Sequence, residues 1–138
     1  MIQVFAPGIP QPQGSKNAYQ RGGKIVLVEA NKNLPAWRRL VTEKLEAANY
    51  SCQPLTGAVS LDVMFFMPHP PTSKLSYPRK YDLDKLLRAV NDSATDAGVI
   101  EDDSQVVEIV AYKVYEAPEM PVGALITYSS FLGVSFDK

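Results

Sequence analysis

The chain has 138 residues, 46% hydrophobic and 21% charged, with a formal net charge of −1, a composition that fits one globular domain of roughly 100–200 residues and excludes disordered, collagen-like and coiled-coil classes. Its longest apolar runs, Val63–Met67 and Val106–Ala111 with Glu108 inside it, fall far short of the roughly eighteen residues of a membrane span. One cysteine, Cys52, and one histidine, His69, are too few for a structural zinc site.

In chain order, Ile2–Ala6 alternates and stops at Pro7-Gly8, which predicts a short first strand. The polar stretch Pro10–Asn17 cannot pack a core. Arg21-Gly22-Gly23-Lys24 then forms a tight turn before a second strand, Lys24–Glu29, so that Lys16, Arg21 and Lys24 decorate a flap. Pro35 suits the first turn of a helix in which Leu34, Trp37, Val41, Leu45 and Ala48 recur at helical spacing. Trp37 reads as core or, less simply, as a base-stacking platform. Ala58–Met67 is a strand buried on nearly both faces, with Val59, Leu61, Val63 and Phe65 on one and Met64 and Phe66 on the other.

Pro68–Tyr81 holds four prolines with Lys74, Arg79 and Lys80, and so reads as a long exposed basic loop. His69 within it is expected to be a solvated loop residue. A second helix follows, because Leu83, Leu86, Leu87, Val90, Ala94 and Ala97 share one face and Gly98-Val99 supplies a Schellman-type stop. Gln105–Tyr115 and Val122–Tyr128 are β-branched runs joined by Glu116–Pro121, which predicts an antiparallel pair. The tail from Ser129 carries Phe131, Leu132, Val134 and Phe136, apolar residues that need cover from the domain or from a second subunit.

The small net charge hides a division. Through Arg88 there are twelve Lys and Arg against six acids, whereas the remainder has two bases against nine acids. The same count also describes ordinary solvated charges. Two acidic clusters stand out: Asp82-Leu83-Asp84 at the start of the second helix, and Glu101-Asp102-Asp103 beyond its end. With Asp82 at the cap and Asp84 in the first turn, both carboxylates can point outward near the positive helix end. Asp82 is also a plausible plain N-cap, which leaves Asp84 unexplained. Helix periodicity does not bring the clusters together, so the chain must double back after Gly98 or a neighbouring subunit must supply the second cluster; otherwise that cluster is a solvated turn. Carboxylate oxygens suit Mg²⁺ or Mn²⁺, and such ions activate water and polarise phosphate. Arg88, four residues after Asp84 and four before Asp92, makes either i,i+4 ion pairs or a contact with the scissile phosphate.

The run Asp82-Leu83-Asp84-Lys85-Leu86-Leu87-Arg88-Ala89-Val90-Asn91-Asp92, followed by Gly98-Val99-Ile100-Glu101-Asp102-Asp103-Ser104-Gln105-Val106, resembles the two-part signature of the RusA family of Holliday junction resolvases. Gly8–Lys16 is similar to the opening of many phage-borne members. The resemblance implies a small homodimeric, Mg²⁺-dependent endonuclease that recognises four-way DNA junctions by structure and nicks opposing strands symmetrically. It assigns Asp82, Asp84 and Asp103 as metal ligands, with supporting roles for Asp92 and Asp102. The family's catalytic lysine falls on Arg88, which keeps the charge but cannot exchange a proton near neutral pH. Lys85 stands where the family has asparagine and offers an amine one turn earlier.

The sequence therefore leads us to expect an α+β fold with one domain over 1–138, a mixed sheet of four or more strands packed with two main helices, as a homodimer. Lys16, Arg21, Lys24, Lys74, Arg79 and Lys80 are expected to contact the phosphates of branched DNA. The single cysteine and the absence of a basic, apolar leader suggest a cytoplasmic protein without a membrane. The alternative readings are a non-catalytic protein that binds branched DNA, a nuclease for other branched DNA, and a metal-stabilised structural domain.

Overall fold

The computed structural model describes residues 1–14, 16–29 and 31–133. Strand β1 (Ile2–Pro7) is followed by a hairpin of β2 (Lys16–Arg21) and β3 (Lys24–Glu29), helix α1 (Leu34–Ala48), strand β4 (Val59–Met67) and helix α2 (Leu83–Asp96). A one-turn 3-10 helix at Asp103–Gln105 leads into β5 (Val106–Tyr115), and β6 (Gly123–Ser130) comes last. The main sheet has the order β1-β6-β4-β5, with β4 and β5 parallel and the other neighbours antiparallel. The expected α+β class with two helices on a mixed four-stranded sheet is what the fold shows.

Two expectations need revision. The polar stretch after Gly14 contributes a strand of its own, β2, paired with β3 around Gly22 and Gly23, whose φ values of 58° and 80° suit a tight hairpin turn. More consequentially, β5 and β6 run antiparallel but are not neighbours, because β4 lies between them. The Glu116–Pro121 link crosses the end of β4 instead of closing a hairpin, a step of about 10 Å that six extended residues span easily. β4 takes the centre because it is the strand most completely stripped of water. Val59, Leu61, Val63 and Phe65 are fully buried and Phe66 and Met67 nearly so.

Both helices cover the sheet face that carries Val4, Leu61, Val63, Phe65, Ile126 and Tyr128. From α1, Leu34, Trp37, Val41 and Leu45 are buried, so Trp37 is a core residue. α2 buries Leu86, Ala89, Val90, Ser93 and Ala94, and burial of a side chain such as Leu86 contributes about 1.5–3 kcal/mol. It ends as its sequence predicts: Gly98 adopts φ 74°, its N–H donates to the Thr95 carbonyl, and that of Val99 donates to the Ala94 carbonyl. No helix is long and apolar enough to cross a membrane among the described residues. Of the apolar tail, Phe131 is half-buried and Leu132 almost fully exposed, while Val134 and Phe136 lie outside the described residues.

Candidate active site

The N-terminal turn of α2 carries the first acidic cluster. Tyr81 turns the chain with φ 70°, and Asp82 follows in extended conformation at the N-cap. The Asp82 carbonyl accepts from the N–H groups of Lys85 and Leu86, both at 3.1 Å, so the backbone begins the helix there. Its side chain makes no cap hydrogen bond. The carboxylate faces solvent, with the Lys85 ammonium 3.7 Å away. Asp84, in the first turn, is also exposed, and both acids lie at the positive end of the helix dipole.

Arg88 is exposed one turn beyond Asp84. Among the described residues no ion pair joins it to Asp84 or Asp92. Asp92 instead accepts a short hydrogen bond from the Gln13 side chain, and the neighbouring Asn91 accepts from the Tyr128 hydroxyl at 2.7 Å. Asp92 thus serves the packing of α2 against the strap before β2. That strap is also tied to the first turn of the helix, since the Gln13 N–H donates to the Lys85 carbonyl at 3.0 Å.

Lys113 escaped the sequence reading, which took it for an ordinary strand residue. It lies on the helix-facing side of β5, opposite Phe65 of β4, where a charge requires partners. Its ammonium donates to the Tyr81 carbonyl at short range and to the carbonyls of Arg79 and Lys80 at 3.4 Å. This clasp fixes the end of the basic loop immediately before Asp82. The loop exposes Lys74, Arg79 and Lys80, with the Lys80 ammonium 5.0 Å from the centre of the Tyr81 ring. His69 is exposed, as expected, and stacks on Tyr115. Lys24 is exposed at the hairpin turn, whereas the side chains of Lys16 and Arg21 lie outside the described residues.

The second acidic cluster is held by a capping box. The Asp102 carboxylate accepts from the Ser104 N–H at 2.9 Å, while the Gln105 Oε1 accepts from the N–H groups of Glu101 at 2.7 Å and Asp102 at 3.2 Å. Gln105 Nε2 in turn donates to the carbonyls of Leu55 at 2.8 Å and Gly57 at 2.9 Å. Hydrogen bonds from Ser104, through its hydroxyl and its backbone amide, hold the Asp102 carboxyl below the usual carboxylate range. Asp102 is thereby committed to the turn, and Asp103, exposed beside it, is presented to solvent. Gln105 was overlooked although the spacing from Asp102 to Gln105 is a capping-box signature.

Within one chain the two clusters lie at opposite ends of α2. Lys113, near the end of β5, holds the backbone before α2, whereas Gln105, just before β5, is joined to the Leu55–Gly57 segment that packs on the Val99 carbonyl after α2. α2 therefore runs antiparallel to β4 and β5, and its fourteen residues separate the clusters by about 20 Å. The chain turns back only as β5, leaving Asp103 at the far end. Among the described residues no three His, Cys, Asp or Glu side chains come together within one chain.

None of the curated proteins matches the sequence. The family model of endodeoxyribonuclease RusA matches residues 7–123, from the last residue of β1 to the first of β6. This stretch contains both acidic clusters, Arg88 and the basic loop, and by that match the chain belongs to the RusA family of endodeoxyribonucleases.

Proposed function

We propose that this RusA-family endodeoxyribonuclease resolves four-way DNA junctions in a Mg²⁺-dependent reaction, as a homodimer that makes paired symmetric nicks. The observation that carries the reading is the first turn of α2, where Asp82 and Asp84 are both exposed and Asp82 makes no cap hydrogen bond, beside a basic loop held in place by Lys113.

Asp82 and Asp84 would hold Mg²⁺, or Mn²⁺ in its place, with Asp103, about 20 Å away within one chain, joining them from a second subunit. Their chemistry fits, since all three offer hard carboxylate oxygens at the surface. When bound, the ion would supply water activation and neutralisation of charge on the phosphate. Arg88, exposed on the Asp84 side, would set a guanidinium against a non-bridging phosphate oxygen and take no part in proton transfer. Lys85 adds a second positive charge 3.7 Å from Asp82. Lys24, Lys74, Arg79 and Lys80, with Lys16 and Arg21 on the same flap, would bind the phosphates of the junction arms without reading sequence.

The test is cleavage of end-labelled substrates in Mg²⁺: a four-way junction, a fork, a flap and the linear duplex. Paired nicks at symmetric positions on the junction, with the duplex intact, are expected. Stronger cutting of the flap or fork would assign a different branched substrate, and tight junction binding without product in Mg²⁺ or Mn²⁺ would make the protein a non-catalytic binder.

A further inference from the structure

A cavity of about 520 Å³ lies between the basic loop and the strap before β2, within the range of roughly 300–1,000 Å³ typical of sites that hold small organic groups. Its walls are mainly apolar and aromatic, with Met67, Leu75, Tyr81 and Tyr115 among them. The two tyrosines are fixed by their surroundings. The Tyr115 hydroxyl lies 3.1 Å from that of Ser73, and its ring stacks on His69 with 4.1 Å between centres. The Lys113 ammonium holds the carbonyls of Arg79, Lys80 and Tyr81 on the other side. These ties form the cavity before any ligand arrives.

The polar groups of the cavity point to its occupant. Gln11, only 6% exposed, lines the wall; its amide oxygen accepts from the Asn31 amide at 3.0 Å and its amide nitrogen donates to the Ile9 carbonyl at 3.2 Å. That nitrogen carries a second N–H with no acceptor among the described residues, and every nucleobase offers an acceptor on its edge. The exposed Arg79 and Lys80 also line the cavity, and no acidic side chain does among the described residues. An apolar slot bordered by cations suits a flat aromatic group carried on a polyanion, because the walls take the base and the cations take the flanking phosphates. A neutral apolar peptide would leave both cations without a counter-charge. The larger groove along α1 lacks this character, since Glu43, Glu46 and Asp96 line it beside Arg38 and Arg39.

We infer that this cavity takes one nucleobase extruded from the junction, the base of a nucleotide within a step or two of the scissile phosphate. The location follows from Tyr81, which lines the cavity and directly precedes Asp82. Extrusion costs least where pairing is already weakened, as at a point of strand exchange, so the cavity favours a branched substrate over a linear duplex. The inference rests on the junction reading above, and its test separates the two because it is read without cleavage.

An iodouracil base is placed at one position after another through the centre of a four-way junction, the full chain is bound with no divalent ion present, and the complex is irradiated. A cross-link from one nucleotide position to Tyr81 or Tyr115 is expected. Cross-links confined to residues outside the cavity, or none from a bound junction, would overturn the inference. Affinities of wild type and Tyr115→Ala are then compared on the intact junction and on one lacking the base at the cross-linked position. Stacking of a base on an aromatic wall contributes about fivefold or more in affinity, so Tyr115→Ala should bind the intact junction more weakly by that factor yet match wild type on the abasic junction. An equal deficit on both junctions would overturn the inference; Leu75→Ala, which truncates an exposed wall residue, gives the same comparison if Tyr115→Ala does not fold. If the cross-link forms but the wild type does not cut junctions in Mg²⁺, the cavity assignment stands and the resolvase reading fails. Cutting without a cross-link reverses that conclusion.

Discussion

Gln105 joins the acidic turn to the rest of the domain, and its truncation is a quantitative test of that role. Its side chain makes four hydrogen bonds, accepting at 2.7 and 3.2 Å from the turn and donating at 2.8 and 2.9 Å to the segment before β4. A hydrogen bond contributes about 0.5–1.5 kcal/mol net, and because Gln105 is half-exposed, water replaces part of what Gln105→Ala removes. The expected loss is about 1–3 kcal/mol, a downward shift of roughly 1 M in the urea midpoint for a domain of this size. Gln105→Glu keeps an acceptor for the turn but loses the donor to Leu55 and Gly57, so it should fall between wild type and Ala. Since the turn presents Asp103, junction cleavage under conditions where the variant remains folded should fall further than junction binding. An unchanged midpoint together with full cleavage by Gln105→Ala would refute the reasoning.

Tyr128→Phe removes a buried hydroxyl that donates to Asn91 and should cost about 1–2 kcal/mol in urea unfolding. Burial, with Asp92 nearby, raises the folded-state pKa of Tyr128 well above the ordinary value of 10.0, so its contribution is full below about pH 10 and is lost as pH rises further; the Phe variant should show a shallower alkaline decline. Neutralising Lys74, Arg79 and Lys80 to Gln should weaken junction and duplex binding alike and flatten the dependence of affinity on salt concentration, because phosphate contacts release counterions. Arg88→Ala should lower the single-turnover cleavage rate at least tenfold with little change in melting temperature, since no ion pair holds Arg88 among the described residues. An unchanged rate would remove Arg88 from the site.

The parts of the fold legible in the sequence were those fixed by local chemistry. The leucine spacing of α2, its glycine stop and the buried character of β4 each follow from residues close together in the chain, and each is found in place. Strand neighbours depend instead on which strand loses most water, a comparison across the whole domain. Hence the apparent hairpin of β5 and β6 is an antiparallel pair with β4 inserted between its members. β2 is polar and gave no alternation to read. Within the candidate site, Asp82 and Asp84 were visible because the start of a helix exposes both side chains. Lys113 was not, because its role depends on carbonyls more than thirty residues away in sequence. The placement of Asp103 at the far end of α2 follows from the antiparallel run of that helix over β4 and β5, which no local pattern encodes.

The most direct test of the central claim compares wild type with Asp84→Asn on one labelled four-way junction in Mg²⁺, measuring cleavage and binding together. Wild type is predicted to leave paired symmetric nicks, and the variant to bind the junction with similar affinity while producing none, because only a surface carboxylate has changed. Nicking by Asp84→Asn at the wild-type rate would contradict the account.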